Sequence, residues 1–145
     1  MAADAVFVDT NVLVYVARPT APEFQAAAAV VRRLRDAGRP LWISRQTMRE
    51  YLAVVTRPQP GYAAQPMGVA IEDIQRLREL FFVAEERADT LDRLLDLLAT
   101  HPTAGRQVHD AHLVATMLSS GIHTLLTFNI RDFRRFEDVI RLERP

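Results

Sequence analysis

The apolar positions of this chain fall into short runs separated by longer amphipathic stretches. Ala5-Val6-Phe7-Val8 is a continuous apolar run that stops at Asp9, which predicts a strand buried on both faces. Leu41-Trp42-Ile43, Phe81-Phe82-Val83, His123 to Phe128 and Val139 to Leu142 predict four more strands. Helical spacing fills the gaps. Val12 to Ala17 reads as a short helix stopped before Pro19, and Glu23 to Ala37 as a longer one opened by Pro22 and closed by Gly38. Ser44 is placed to cap a helix running to about Thr56, with Met48, Leu52 and Val55 on one face. Further helices are predicted over Ile71 to Leu80, over Arg87 to Ala99 with Leu91, Leu94, Leu95 and Leu98 facing the core, and over Val108 to Ser120, closed by Gly121. Residues 57–68 carry three Pro and two Gly and predict a mobile loop.

Strands alternate with helices from end to end. The expected fold class is therefore α/β, one domain over residues 1–145, with a short-stranded, mostly parallel sheet covered by helices on both faces. In such sheets ligands bind beyond the carboxyl ends of the strands. Asp9 falls there, directly after the first strand, as do Asn129 and Asp132 after the strand ending at Phe128. Asp110 opens a helix whose N-terminus can face the same edge, and Glu50 sits two turns into the helix after the Trp42 strand. Four carboxylates from distant segments thus converge. Crowded like charges raise one another's pKa, and a divalent cation relieves the conflict. A cation held by carboxylates suits phosphodiester hydrolysis.

Each residue also has a plain structural reading. Asp9 can cap a helix, Glu50 can pair with Arg45 or Arg49, Asp110 can complement a helix dipole, and Asn129 with Asp132 resembles a capping box.

Composition narrows the chemistry. The 145 residues contain no Cys, which excludes disulfides, thiolate zinc sites and thiol nucleophiles. No apolar run approaches the ~18 residues that span a membrane, and the acidic N-terminus lacks a basic leader, so a cytoplasmic protein is expected. The 18 basic and 18 acidic residues cancel, which speaks against purely electrostatic nucleic-acid binding. All 18 bases are Arg, whose forked guanidinium suits phosphate, and residues 1–60 hold eight Arg against five acids.

Four segments resemble the PIN-domain family, specifically the VapC toxins of bacterial toxin–antitoxin pairs. They are Val6 to Tyr15 with Asp9-Thr10-Asn11, Ser44 to Tyr51 with Glu50, Val108 to Ala115 with Asp110, and Leu125 to Phe133 with Thr127-Phe128-Asn129 and Asp132. Their order, spacing and total length agree across nearly the whole chain. The resemblance implies a PIN-like three-layer α/β/α fold and an Mg2+-dependent endoribonuclease, with Mn2+ as the alternative ion. It also implies a homodimer inhibited by a cognate VapB-like antitoxin, with structured RNA such as tRNA or rRNA as substrate. Carried over residue by residue, Asp9, Glu50 and Asp110 match the three core acids, with Asp9 and Asp110 as direct metal ligands. Asp132 takes the fourth catalytic place, because position 129 is an amide here. Asn129 would bond Asp9 or a water of the site, and Thr10 and Thr127 would orient the carboxylates.

Of the neighbouring residues, His109 stays a weak candidate near the leaving group, while His112 reads as packing or a partner contact. Arg45, Arg49, Arg131, Arg134 and Arg135 are candidates for phosphate contacts, though most read as solvated charges. Two other functions compete. A catalytically silent module acting through an antitoxin would not need four intact acids. A haloacid-dehalogenase-like phosphatase needs a second Asp where Asn11 stands, and a Lys that the chain lacks.

Overall fold

The computed structural model describes residues 4–145. Five strands form one sheet: β1 (Val6–Val8), β2 (Leu41–Ser44), β3 (Phe82–Ala84), β4 (Thr124–Leu126) and β5 (Arg141–Glu143). Their order is β3-β2-β1-β4-β5, and every adjacent pair is parallel. Seven α-helices connect them: α1 (Thr10–Val16), α2 (Phe24–Asp36), α3 (Arg45–Val55), α4 (Met67–Leu80), α5 (Thr90–Thr100), α6 (Gln107–Ser119) and α7 (Ile130–Phe133).

Strand alternation decides what each face of the sheet buries. Val6 and Val8 join Leu41, Ile43 and Leu126 in a core with Leu13, Leu34, Met48, Tyr51 and Val55 from α1 to α3. Phe7 and Leu125 point the other way, into a core with Leu113, Met117, Phe133 and Phe136. Two separate cores on one sheet make a three-layer α/β/α arrangement, as expected for a PIN-like fold. Helix α6 is buried on most of its surface, from Ala111 through Met117, and Gly121 at φ +71° reverses the chain after it.

Four expectations are corrected. Helix α4 starts at Met67 and not Ile71, because Gly68 is tolerated in its first turn while Ala70 already packs in the core. Helix α5 starts at Thr90 and not Arg87, since residues 87–90 form a turn in which the Thr90 hydroxyl accepts the Arg87 amide. Its core face is Leu97 with Leu94 and Leu98, while Leu91 and Leu95 are 62% and 53% exposed. Strand β4 stops at Leu126 rather than Phe128: the Asn129 amide bonds the Thr127 hydroxyl at 2.9 Å, and that local turn ends the ladder.

The segment read as a mobile loop also has structure. Gln59 and Tyr62 exchange both backbone hydrogen bonds around Pro60-Gly61. Gly61 has φ +82°, which a type II turn requires of its third residue.

Candidate active site

The strand order reverses direction between β1 and β4, and the first loops of the site leave the sheet at their carboxyl ends. Asp9 follows β1 in an extended conformation, and its Oδ1 accepts the Thr10 amide at 2.8 Å. The capping role is therefore real, but it occupies one oxygen only. Oδ2 accepts the Thr127 hydroxyl at 2.8 Å and the Asn11 amide at 3.1 Å. The Thr127 hydroxyl also accepts from Asn11 Nδ2 at 3.3 Å and from the Asn129 backbone amide at 2.9 Å, which uses its full capacity. Asn11 Oδ1 then takes the Phe128 amide at 3.1 Å. This network holds a buried carboxylate in a single orientation.

Glu50 projects from α3 toward the same place. Its Oε2 accepts the Thr10 hydroxyl at 2.9 Å and its Oε1 accepts Gln46 Nε2 at 2.8 Å. Gln46 Nε2 reaches the His109 carbonyl as well, at 2.9 Å, and so ties α3 to the first turn of α6. Asp110 lies one residue on, half-buried in that turn.

The electrostatics join all four acids. Burial pushes Asp9 up to about 6; its hydrogen bonds from Thr127 and Thr10 oppose the rise, and the charges of Glu50 and Asp110 add to it. Burial also pushes Asp110 up to about 6, with the Asp132 charge as the next contribution, then the opposing Arg135 charge. Asp132 itself is exposed in α7. None of the four carboxylates belongs to an ion pair among the described residues, whereas Asp73, Glu85, Asp89 and Glu143 each hold an Arg.

A cleft of about 480 Å³ is lined by Asp9, Glu50, Asp110, Asn129, Arg18 and Arg57, with part of α1 and α3. Among the described residues no three His, Asp or Glu side chains form a ready-made cage for a metal ion. An open set still fits a hard cation, because Mg2+ takes one or two carboxylates and completes its shell with water and phosphate oxygen. The donors here are all oxygen and unpaired, and two of them are raised in pKa, chiefly by burial and further by neighbouring carboxylates.

The sequence-predicted residues are thus brought together with one change of part. Asn129 lines the cleft but makes no capping bond and does not reach Asp9; Asn11 makes that bond instead, since it sits two residues from Asp9 on the same turn. Gln46 was likewise not foreseen. Its signal is the spacing of four to Glu50, one helical turn.

The flanking residues divide differently from expectation. His112 pairs with Glu86 at 2.8 Å, and His109 is exposed, with its carbonyl accepting Gln46 Nε2 and its ring acting on Asp110 only as a minor charge. Arg45 pairs with Glu85 and Arg134 reaches Glu137, which leaves Arg135 as the member of that group whose charge acts on Asp110.

The PIN domain family model matches residues 6–139. The chain belongs to the PIN-domain family. Ribonuclease VapC48 of Mycobacterium tuberculosis is 30% identical over 142 residues, 94% of either chain, which puts this PIN-domain protein among the VapC ribonucleases. The solved structure of VapBC2 from Rickettsia felis, bound to a DNA fragment from its promoter, superimposes with a TM-score of 0.72 at 15% identity, covering 97% of this chain and 98% of that one. Mycobacterium tuberculosis VapC20, a sarcin–ricin loop cleaving toxin, gives 0.65 at 19% identity, covering 90% and 94%. At those identities the two structures attest the PIN fold alone.

Proposed function

We propose that this PIN-domain chain is a divalent-cation-dependent endoribonuclease, the toxin of a toxin–antitoxin pair, working with Mg2+ or Mn2+. The observation that carries the reading is the set of four unpaired carboxylates at the sheet's switch point, two of them raised to about 6. A divalent cation between Asp9 and Asp110 would supply the positive charge this cluster lacks and would polarise a scissile phosphate. The chain's own residues do the rest. Thr127, Asn11 and the Thr10 amide fix the Asp9 carboxylate, so no reorganisation is needed when substrate arrives. Glu50, steadied by Thr10 and Gln46, keeps a free lone pair on each oxygen with which to orient water. Asn129 offers an uncharged amide to a non-bridging oxygen at the cleft wall. Asp132, exposed on α7, acts on Asp110 through its charge and completes the acidic group.

Attack by water on phosphorus leaves a 5′-phosphate and a 3′-hydroxyl and needs no 2′-hydroxyl. A structured RNA, tRNA or rRNA, is the proposed substrate; VapC20, which is named for cleaving the sarcin–ricin loop, supports this. The VapBC2 structure supports a VapB-like antitoxin as partner. Exposed Leu91 and Leu95 on α5 and Phe82 on β3 support a homodimer.

The test uses purified chain and 5′-labelled RNA. Cleavage is expected to vanish in EDTA and to fall below about a hundredth in Asp9→Asn and Asp110→Asn, each a loss of more than about 2.7 kcal/mol of transition-state stabilisation. Cleavage that survives EDTA or Asp9→Asn, or products with 2′,3′-cyclic ends, would refute it.

A further inference from the structure

Two cations line the same cleft as the acids, and neither is part of the carboxylate network. Arg18 follows α1, the helix that Asp9 caps. Arg57 follows α3, the helix that carries Glu50. Both helices start at the carboxyl edge of the sheet and run away from it, so both Arg residues lie at the far end of the cleft. At 1.5 Å per residue, the seven-residue helix α1 that separates Asp9 from Arg18 spans about 10 Å.

Arg18 is held in place. Its Nη1 donates to Gln59 Oε1 at 3.0 Å, and its guanidinium carbon lies 4.2 Å from the centroid of the Tyr62 ring. Gln59 and Tyr62 flank the Pro60-Gly61 turn and are locked to each other by two backbone hydrogen bonds of 3.0 and 2.8 Å. A rigid two-residue turn therefore presents an amide and an aromatic face to one guanidinium. Both partners are neutral, so the charge of Arg18 is uncompensated. Arg57 makes no ion pair among the described residues either, and it is exposed. An Arg past a helix end can serve the helix dipole alone; the Arg18 guanidinium is instead spent on the turn, with its remaining N–H groups left for a ligand.

We propose that Arg18, positioned by Gln59 and Tyr62, binds a backbone phosphate of the RNA substrate a short way along the strand from the scissile bond, with Arg57 beside it. The cleft sets the spacing: a reach of about 10 Å spans more than one backbone step, so the phosphate bound is not the scissile one. The chemistry follows from the anchored guanidinium, whose forked donors match two phosphate oxygens. The inference rests on the nuclease reading for its substrate, but binding tests it separately from cleavage. Because the contact is to phosphate, it selects for a strand lying along the cleft rather than for a base.

The experiment measures binding of fluorescein-labelled oligouridine to the full chain by anisotropy across a salt series, in EDTA so that no strand is cut. Arg18→Gln is expected to weaken binding about tenfold. It is also expected to reduce the slope of log affinity against log salt by about 0.7, the value for one phosphate contact on a single strand. Tyr62→Leu is expected to lose part of that affinity and Tyr62→Phe to retain it, because the ring face and not the hydroxyl holds the guanidinium. Arg32→Gln, exposed on α2 and outside the cleft, serves as the charge control. Arg18→Gln matching Arg32→Gln in affinity and salt slope, with an unchanged melting temperature, would overturn the proposal. Loss of RNA affinity in Arg18→Gln, beside a wild-type chain that binds RNA but cuts none, would uphold the clamp and overturn the nuclease reading. Intact binding in Arg18→Gln beside active cleavage would do the reverse.

Discussion

Asp9 and Asp110 carry raised pKa values because the fold buries charge without a counter-ion, and this has two signed consequences. Between about pH 4 and 6 the folded chain binds more protons than the unfolded one. Without a divalent cation, the contribution of these two groups to stability is therefore fully present below about pH 4 and is lost as pH rises through 6. Asp110→Asn removes its share of that penalty. A two-unit shift is worth about 3 kcal/mol in full. Asp110 is half-exposed, so screening reduces the gain to about 1 kcal/mol, or about 3 °C of melting temperature for a chain this size. Thermal melts in EDTA near neutral pH and near pH 4 check this: the variant gains at the first and not at the second. The same two protons must leave before a cation binds, so Mg2+ affinity is expected to drop as pH falls below 6, read by titrations of cleavage rate against Mg2+.

At this level most of the site was visible in the chain itself. Asp9, Glu50 and Asp110 stand where strand ends and helix turns put them. Asn11 and Gln46 escaped notice because their work depends on which way an amide points across the β1–β4 junction and the α3–α6 contact, and no local pattern encodes that.

Helix α3 illustrates how an element carries function through its surroundings. Ser44 and Thr47 form a capping box at its start, with Thr47 Oγ1 accepting the Ser44 amide at 2.9 Å, and this fixes the direction in which the helix leaves β2. Gln46, 8% exposed, then couples Glu50 to the α6 backbone. Gln46→Leu keeps the volume and removes both bonds. It is expected to lower metal-dependent cleavage about 10–100-fold with the fold intact; Gln46→Glu, which adds a charge to an acidic cluster, is expected to be worse. The Mg2+ concentration giving half-maximal rate separates loss of cation binding from loss of rate.

Helix boundaries were the least legible part. Gly68 looked like a breaker and Leu91 and Leu95 looked like core, yet α4 begins through the glycine and α5 turns those leucines outward. Periodicity locates an amphipathic face, but which side of a leucine-rich helix meets the sheet depends on the approach of its neighbours.

The architecture as a whole was readable because alternation of strands and helices admits few topologies, and the five strands obey it with every pair parallel. What alternation could not announce was the exposed apolar surface. Leu91 and Leu95 on α5, and Phe82 on the outer strand β3, are costly to leave in water, and the proposed homodimer would cover them. Leu95→Glu is expected to convert a dimer to monomer while leaving the melting transition cooperative, as sedimentation velocity would report. A wild-type chain that sediments as a monomer would remove the homodimer from the functional proposal.

The bond between Thr127 and Asp9 joins residues 118 apart. During synthesis the first acid is made long before its clamp, so β1 lacks its β4 neighbour and Asp9 lacks the Thr127 bond until that later segment follows. The nuclease proposed above would thus stay inert until the two ends of its site had both been made.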